Sequence, residues 1–86
     1  MNNNICQKNH RTDPMFDVLP EGQAYHEGRH KCAGCAYEQG KADGLARVEP
    51  NFRPDEIDYS QASTVRHKSA LAGYNMGYTD GLRQQP

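Results

Sequence analysis

Small and aromatic positions recur along this chain with one spacing, twice. His30, Ala33, Tyr37, Gly40 and Gly44 are separated by 3, 4, 3 and 4 residues, and His67, Ala70, Tyr74, Gly77 and Gly81 repeat that spacing. A 3–4 alternation keeps side chains on one face of a helix, whereas a half-buried strand needs period 2. No segment alternates with period 2, so the pattern predicts helices and no strands. Gly40 and Gly44, like Gly77 and Gly81, lie four apart. Small residues at that interval let two helix backbones approach closely, and Tyr37 and Tyr74 would cover the partner's glycines. The expected fold is therefore all-α: an antiparallel helical hairpin with a pseudo-two-fold axis, its seam formed by these ten residues.

The seam belongs to a longer internal repeat. Residues 29–45 align without a gap on residues 66–82 at an offset of 37, with nine of 17 positions identical. Chance would supply roughly one match at ordinary residue frequencies. Arg-His-Lys, Ala, Tyr, Gly, Asp, Gly and Leu occur in both copies. Cys32 and Cys35 occur only in the first, where the second has Ser69 and Ala72.

Turn chemistry sets the expected boundaries. Residues 1–16 read as an N-terminal arm, because Asn2, Asn3, Asn4, Asn9, Thr12, Asp13 and Pro14 favour turns. Residues 17–86 read as a single small helical domain. Its first repeat spans about 20–46, with Pro20 opening a helix that runs to Asp43. Gly28 marks a place where the first turns can separate from the rest. A linker covers 47–60, where Pro50 and Pro54 stop any helix running through. The second repeat spans about 61–82, with Ser60 as N-cap, a helix over Gln61–Asp80 and Gly81 just past its end. The tail, residues 83–86, is expected to fray.

Composition makes this core thin. Leu, Ile, Val and Phe total 11 of 86 residues, there is no Trp, and mean hydropathy is −1.02. A core of this size supplies only about 3–5 kcal/mol, so a metal, a second subunit or a partner is expected to help. The net charge of −1 does not favour a dedicated nucleic-acid binder, which carries a basic excess. Arg29, Lys31, Lys41 and Arg47 read as a solvated face. No apolar run approaches the roughly 20 residues that cross a bilayer, so no membrane role and a cytoplasmic location are the expectations.

The candidate chemistry lies in the cysteines. Cys32-Ala33-Gly34-Cys35 is a C-x-x-C pair, and Cys6 and His10 form a C-x3-H pair in the arm. Together they make a Cys3His set suited to a structural zinc, with His26 and His30 as alternate ligands. Such a site would order a polar arm. Two other readings stay open. Ser69 and Ala72 at the matching positions suggest that the cysteines serve as small buried side chains. Alternatively, C-x-x-C is a redox pair, although no βαβ pattern surrounds it. Asp43 and Asp80 read as helix-end residues. No phosphate loop, nucleophile elbow or H-E-x-x-H pattern occurs, so no catalytic residues and no enzyme activity are expected.

Ala36-Tyr37-Glu38-Gln39-Gly40-Lys41-Ala42-Asp43-Gly44-Leu45-Ala46, a Pro-containing connection, and Ala70-Leu71-Ala72-Gly73-Tyr74 resemble the two-helix pattern of the ribosome modulation factor family. The resemblance covers roughly residues 36–78 and implies a helix pair and a ribosome-associated role. This chain differs from that family in its near-neutral charge, longer linker, absent Trp and added C-x-x-C.

The functional expectation is a small non-enzymatic binding or regulatory protein of bacterial or phage accessory type, acting through a protein partner or as a homodimer. Ribosome or nucleic-acid association and thiol-redox chemistry are the alternatives.

Overall fold

The protein is described over residues 4–23 and 25–84 in a computed structural model. Residues 1–3 of the arm, Ala24, and Gln85 and Pro86 of the tail lie outside the described residues. Two 14-residue helices dominate the molecule: α1, Ala33–Ala46, and α3, Ala70–Arg83. Between them lies one short turn of helix, α2, Ser63–Arg66. The arm and the connection form 3-10 turns at Asn9–Thr12, Pro14–Val18, Tyr25–Glu27 and Pro54–Glu56. There is no strand among the described residues, only isolated bridges. The all-α expectation therefore holds.

Both long helices start later than their patterns suggest, and the reason is the cap. Cys32 has extended backbone angles, and its Sγ accepts from the Cys35 N–H. Ser69 does the same in the second copy, its Oγ accepting from the Ala72 N–H. A side-chain acceptor at this position satisfies an amide that has no partner inside the helix. The helix expected from Pro20 is instead a series of turns, with Gly28 and His30 at positive φ (79° and 60°). The helix expected from Gln61 is broken between Arg66 and Ala70, and Ser60 caps nothing: Ala62 holds the N-cap position of α2. Ser60 is buried, its Oγ accepting from the Ala62 N–H. Gly81 lies inside α3 rather than beyond it, and α1 ends where Arg47 turns left-handed.

The helices pack along the glycine seam, but they run parallel. A Cβ on Gly40 would overlap the Tyr74 carbonyl, one on Gly77 the Tyr37 carbonyl, and one on Gly44 the Tyr78 carbonyl. Residue number rises together on both sides of the seam, which excludes the antiparallel hairpin. The physical reason is the connection. Residues 47–69 separate the helices, and a 14-residue helix is about 21 Å long. About six or seven extended residues span that distance, so the connection is long enough for the chain to go back to the starting end before α3 begins.

The pseudo-two-fold axis thus runs along the pair and relates more than the helices. The Tyr37 hydroxyl donates to Asp80 at 2.6 Å, and the Tyr74 hydroxyl donates to Asp43 at 2.5 Å. Cys32 N–H donates to the Asp58 carbonyl and Ser60 N–H to the His30 carbonyl; equivalently, Ser69 N–H donates to Pro20 and Gly22 N–H to His67. Each helix start is tied to the segment leading into the other helix. Phe16 meets the Tyr37 ring at 5.6 Å and Phe52 meets Tyr74 at 5.8 Å. Asp13-Pro14-Met15-Phe16 and Glu49-Pro50-Asn51-Phe52 are therefore also a repeated element, an acidic-Pro-x-Phe hook that packs on the tyrosine of its own copy.

Two small cores result. Cys6, Phe16, Leu19, Cys32, Ala33 and Val65 form one, beneath the arm. Ala36, Ile57, Ala70 and Tyr74 form the other. Phe16 anchors the arm at 1% exposure, whereas Ile5 and Met15 keep 37% and 39% of their surface exposed.

Candidate metal centre

Three segments converge at the start of α1. The bridge of Ile5 to Tyr59 and that of Lys31 to Tyr59 place the arm and the α1 cap on either side of residues 58–60. Cys6 N–H donates to the Tyr59 carbonyl at 2.7 Å and Cys32 N–H to the Asp58 carbonyl at 2.8 Å. Backbone pairing alone thus sets Cys6 beside Cys32. The turn Asn9–Thr12 brings His10 back over the same point, and one helical turn supplies Cys35.

The four ligand atoms of Cys6, His10, Cys32 and Cys35 all lie within 4.8 Å of one another. The His10 Nε2 is 3.3 Å from Cys6 Sγ, 3.5 Å from Cys32 Sγ and 3.4 Å from Cys35 Sγ. Cys35 Sγ is 3.5 Å from Cys6 Sγ, far beyond the roughly 2.05 Å of a disulfide, and all three cysteines are free thiols. A tetrahedron with Zn–S of about 2.3 Å and Zn–N of about 2.0–2.1 Å has N···S edges of about 3.5 Å and S···S edges of about 3.8 Å. The observed separations are close to those edges, so the four side chains could hold a metal ion. Cys6 and Cys32 are buried, and Cys35 and His10 are half-buried.

The surroundings orient the ligands. Glu38 Oε2 lies 2.6 Å from His10 Nδ1, which fixes the ring so that Nε2 faces the thiols. Lys8 Nζ lies 3.1 Å from Glu38 Oε1. The Lys8 and Cys35 backbone N–H groups donate to Cys6 Sγ (3.4 Å) and Cys32 Sγ (3.5 Å). Gly34 makes room: a Cβ there would meet the His10 ring, with Cδ2 at 2.5 Å. The matching residue of the second copy is Leu71, which is half-buried.

Without a cation the three thiols compete for one negative charge. The hydrogen bond from Cys35 lowers the Cys32 thiol to about 5, helped by its own cap bond and by His10. Cys35, hydrogen-bonded to Cys32 and half-buried, is pushed far up, and burial raises Cys6. A divalent ion removes that competition, because every ligand thiol can then ionise.

Comparison with family models, with curated proteins and with solved structures gives no match. The centre must therefore be judged on its own geometry.

The alternate ligands are elsewhere. His26 is exposed in the Tyr25–Glu27 turn. His30 meets His67 edge to face at 6.3 Å, with Arg66 Nη2 3.5 Å from its Nδ1. The seam residues Ala33, Gly40, Gly44, Ala70, Tyr74, Gly77 and Gly81 are buried, and Tyr37 is half-buried. Sequence reasoning missed Glu38 and Gly34. The signal for both was divergence from the repeat, since Asn75 and Leu71 stand at the matching positions. No helix among the described residues is long and apolar enough to cross a membrane.

Proposed function

We propose that this is a small non-enzymatic binding module whose arm is locked onto a helix pair by a structural zinc. The observation carrying this reading is the convergence of one Nε2 and three Sγ atoms within 4.8 Å. Zinc suits a Cys3His donor set, and four protein ligands leave no open position for substrate, the mark of a structural rather than a catalytic centre. The metal would couple the arm to α1 and supply stability that 11 large aliphatic and Phe residues do not.

The binding half of the proposal rests on the opposite end of the pair. Leu45, Val48 and Leu82 stand 45%, 48% and 38% exposed near the helix C-termini. Leu45 and Leu82 are repeat equivalents, so the pair presents two leucines about its axis. A protein partner or a second copy would cover them.

Native mass spectrometry of the chain, with and without chelator, tests both halves. One zinc per chain, lost on unfolding, supports the metal centre, and a dimer or hetero-complex supports the binding role. A folded, metal-free monomer that captures nothing rejects the proposal.

A further inference from the structure

Of the nine residues common to both copies, most have a role that the fold explains. Ala33 and Ala70 and the glycines form the seam. Each tyrosine bonds the other copy's aspartate. Lys31 Nζ donates to the Ile57 carbonyl and Lys68 Nζ to the Asp17 carbonyl. Arg29, His30 and His67 are not explained this way, and Arg66 is only partly so: its Nη1 donates to the Ser60 carbonyl at a long 3.5 Å, while its Nη2 faces His30. Parallel packing brings both Arg-His pairs to one end of the molecule. There the imidazoles touch edge to face at 6.3 Å and Arg66 Nη2 lies 3.5 Å from His30 Nδ1. Among the described residues none of the four makes an ion pair with a carboxylate. Arg29 and His67 are exposed, and His30 and Arg66 are half-exposed.

Two guanidinium groups with no carboxylate ion pair among the described residues leave a local positive field, and each of the two imidazoles beside them can donate a hydrogen bond. We propose that Arg29, His30, Arg66 and His67 form a binding site for a phosphate-type oxyanion, carried by inorganic phosphate or by the phosphodiester backbone of a nucleic-acid strand. Guanidinium groups present paired N–H donors that match such oxygens, and the two imidazoles add one donor each from the centre of the cluster. At each helix start one amide is already taken, by Cys32 Sγ and by Ser69 Oγ. In the free protein, burial lowers the His30 pKa, and Arg66, Arg29 and His67 lower it further. A bound dianion would offset that mutual repulsion. The site lies apart from the metal ligands and stands whether or not the centre holds zinc.

The test follows the imidazole C–H resonances of the full chain at constant ionic strength. Inorganic phosphate is titrated in one arm and a short oligothymidylate in the other, against chloride. Saturable shifts of His30 and His67, with His26 unmoved, are expected in at least one arm. The phosphate arm identifies a free anion as sufficient, and a response confined to oligothymidylate identifies the strand. Arg29→Gln, whose side chain is exposed, should weaken the response about tenfold, the value of one charged hydrogen bond, with an unchanged circular dichroism spectrum. Arg66→Gln should do the same or more. Shifts no larger than those with chloride in both arms, or an affinity unchanged in both variants, would overturn the proposal.

Discussion

Cys32 and Ser69 share nearly the same backbone angles (φ −71°, ψ 114° and φ −69°, ψ 115°), and each caps a 14-residue helix. Only Cys32 stands beside Cys6, His10 and Cys35. In the second copy the corresponding ground is held by polar contacts: Arg53 pairs with Asp43 at 3.0 Å, and the Asn51 N–H donates to the Tyr74 hydroxyl. One duplicated unit is thus fastened in two ways. The first copy's flanking segment is held by side chains suited to a metal, the second's by an ion pair and hydrogen bonds. A cap needs only one acceptor atom, and sulfur or oxygen serves. The position could acquire a second role without altering the helix beneath it.

Separating the two roles of Cys32 should give the largest effect. Cys32→Ser keeps a cap acceptor and removes a ligand; Cys32→Ala removes both. Both variants should lose the bound zinc in native mass spectrometry, and hydrogen exchange of the Cys6–Leu19 amides should approach that of the chelated protein. The alanine variant should be less stable than the serine variant by about 1 kcal/mol, the worth of an N-cap. Ser69→Cys should change little. Equal zinc content in wild type and Cys32→Ser would remove the metal from the comparison.

Next are the glycines, which separate seam from centre. Gly77→Ala places a methyl against the Tyr37 carbonyl, a backbone atom that cannot rotate away. It should destabilise the helix pair by about 2 kcal/mol despite alanine's better helix propensity, read as a lower urea midpoint. The atoms nearest a methyl at Gly34 all belong to the His10 ring, a side chain rather than backbone. Gly34→Ala should weaken zinc binding while leaving the chelated protein no less stable than chelated wild type. A Gly77→Ala protein as stable as wild type would mean that the backbones are farther apart than this packing requires.

The glycine contrast also shows what could be read from the chain. The seam was legible because its small residues recur at helical spacing in both copies, and the metal candidates because cysteine and histidine are few. Direction was not legible. Spacing fixes which face is buried but not which way the partner runs; that depended on how residues 47–69 return, through single backbone bonds such as Cys32 N–H to Asp58. The late helix starts were hidden for a related reason. Pro20 and Ser60 read as helix openings, but the chain just before Cys32 and Ser69 is committed to cross-copy pairing with residues 58–60 and 20–22. The Asp13–Phe16 and Glu49–Phe52 hooks share only an acidic residue, Pro and Phe, at an offset of 36 rather than 37. A gapless alignment passes over them.

The tyrosines should show a smaller asymmetry. The Tyr74 hydroxyl donates to Asp43 and accepts from Asn51, so Tyr74→Phe leaves a half-buried carboxylate short of a donor and an amide short of an acceptor. The Tyr37 hydroxyl bonds Asp80, and that carboxylate, together with burial, pushes its pKa up to about 12. Tyr74→Phe should cost about 2 kcal/mol and Tyr37→Phe about 1 kcal/mol, measured by urea denaturation of the zinc-loaded protein. Equal losses would mean that the linker amide adds nothing.

The smallest effect belongs to the ion pair that fastens the second copy. Hydrogen bonding from Arg53 holds the Asp43 carboxyl below its usual range, and the Tyr74 hydroxyl adds to this against the opposing effect of burial. A carboxyl whose pKa is depressed on folding binds protons more tightly when unfolded. Its contribution is fully present above the unfolded value of about 3.9 and is lost as pH falls through the lower folded value. Asp43→Asn should therefore be less stable than wild type by a constant margin at neutral pH, a margin that closes below about pH 4. Any zinc held by the thiolates would be lost in acid from wild type and variant alike, since Asp43 is not among the candidate ligands, so the difference between them isolates the carboxyl. A margin that persists undiminished below the folded pKa would assign Asp43's role to hydrogen-bond geometry, and the second copy's fastening would then not depend on its charge.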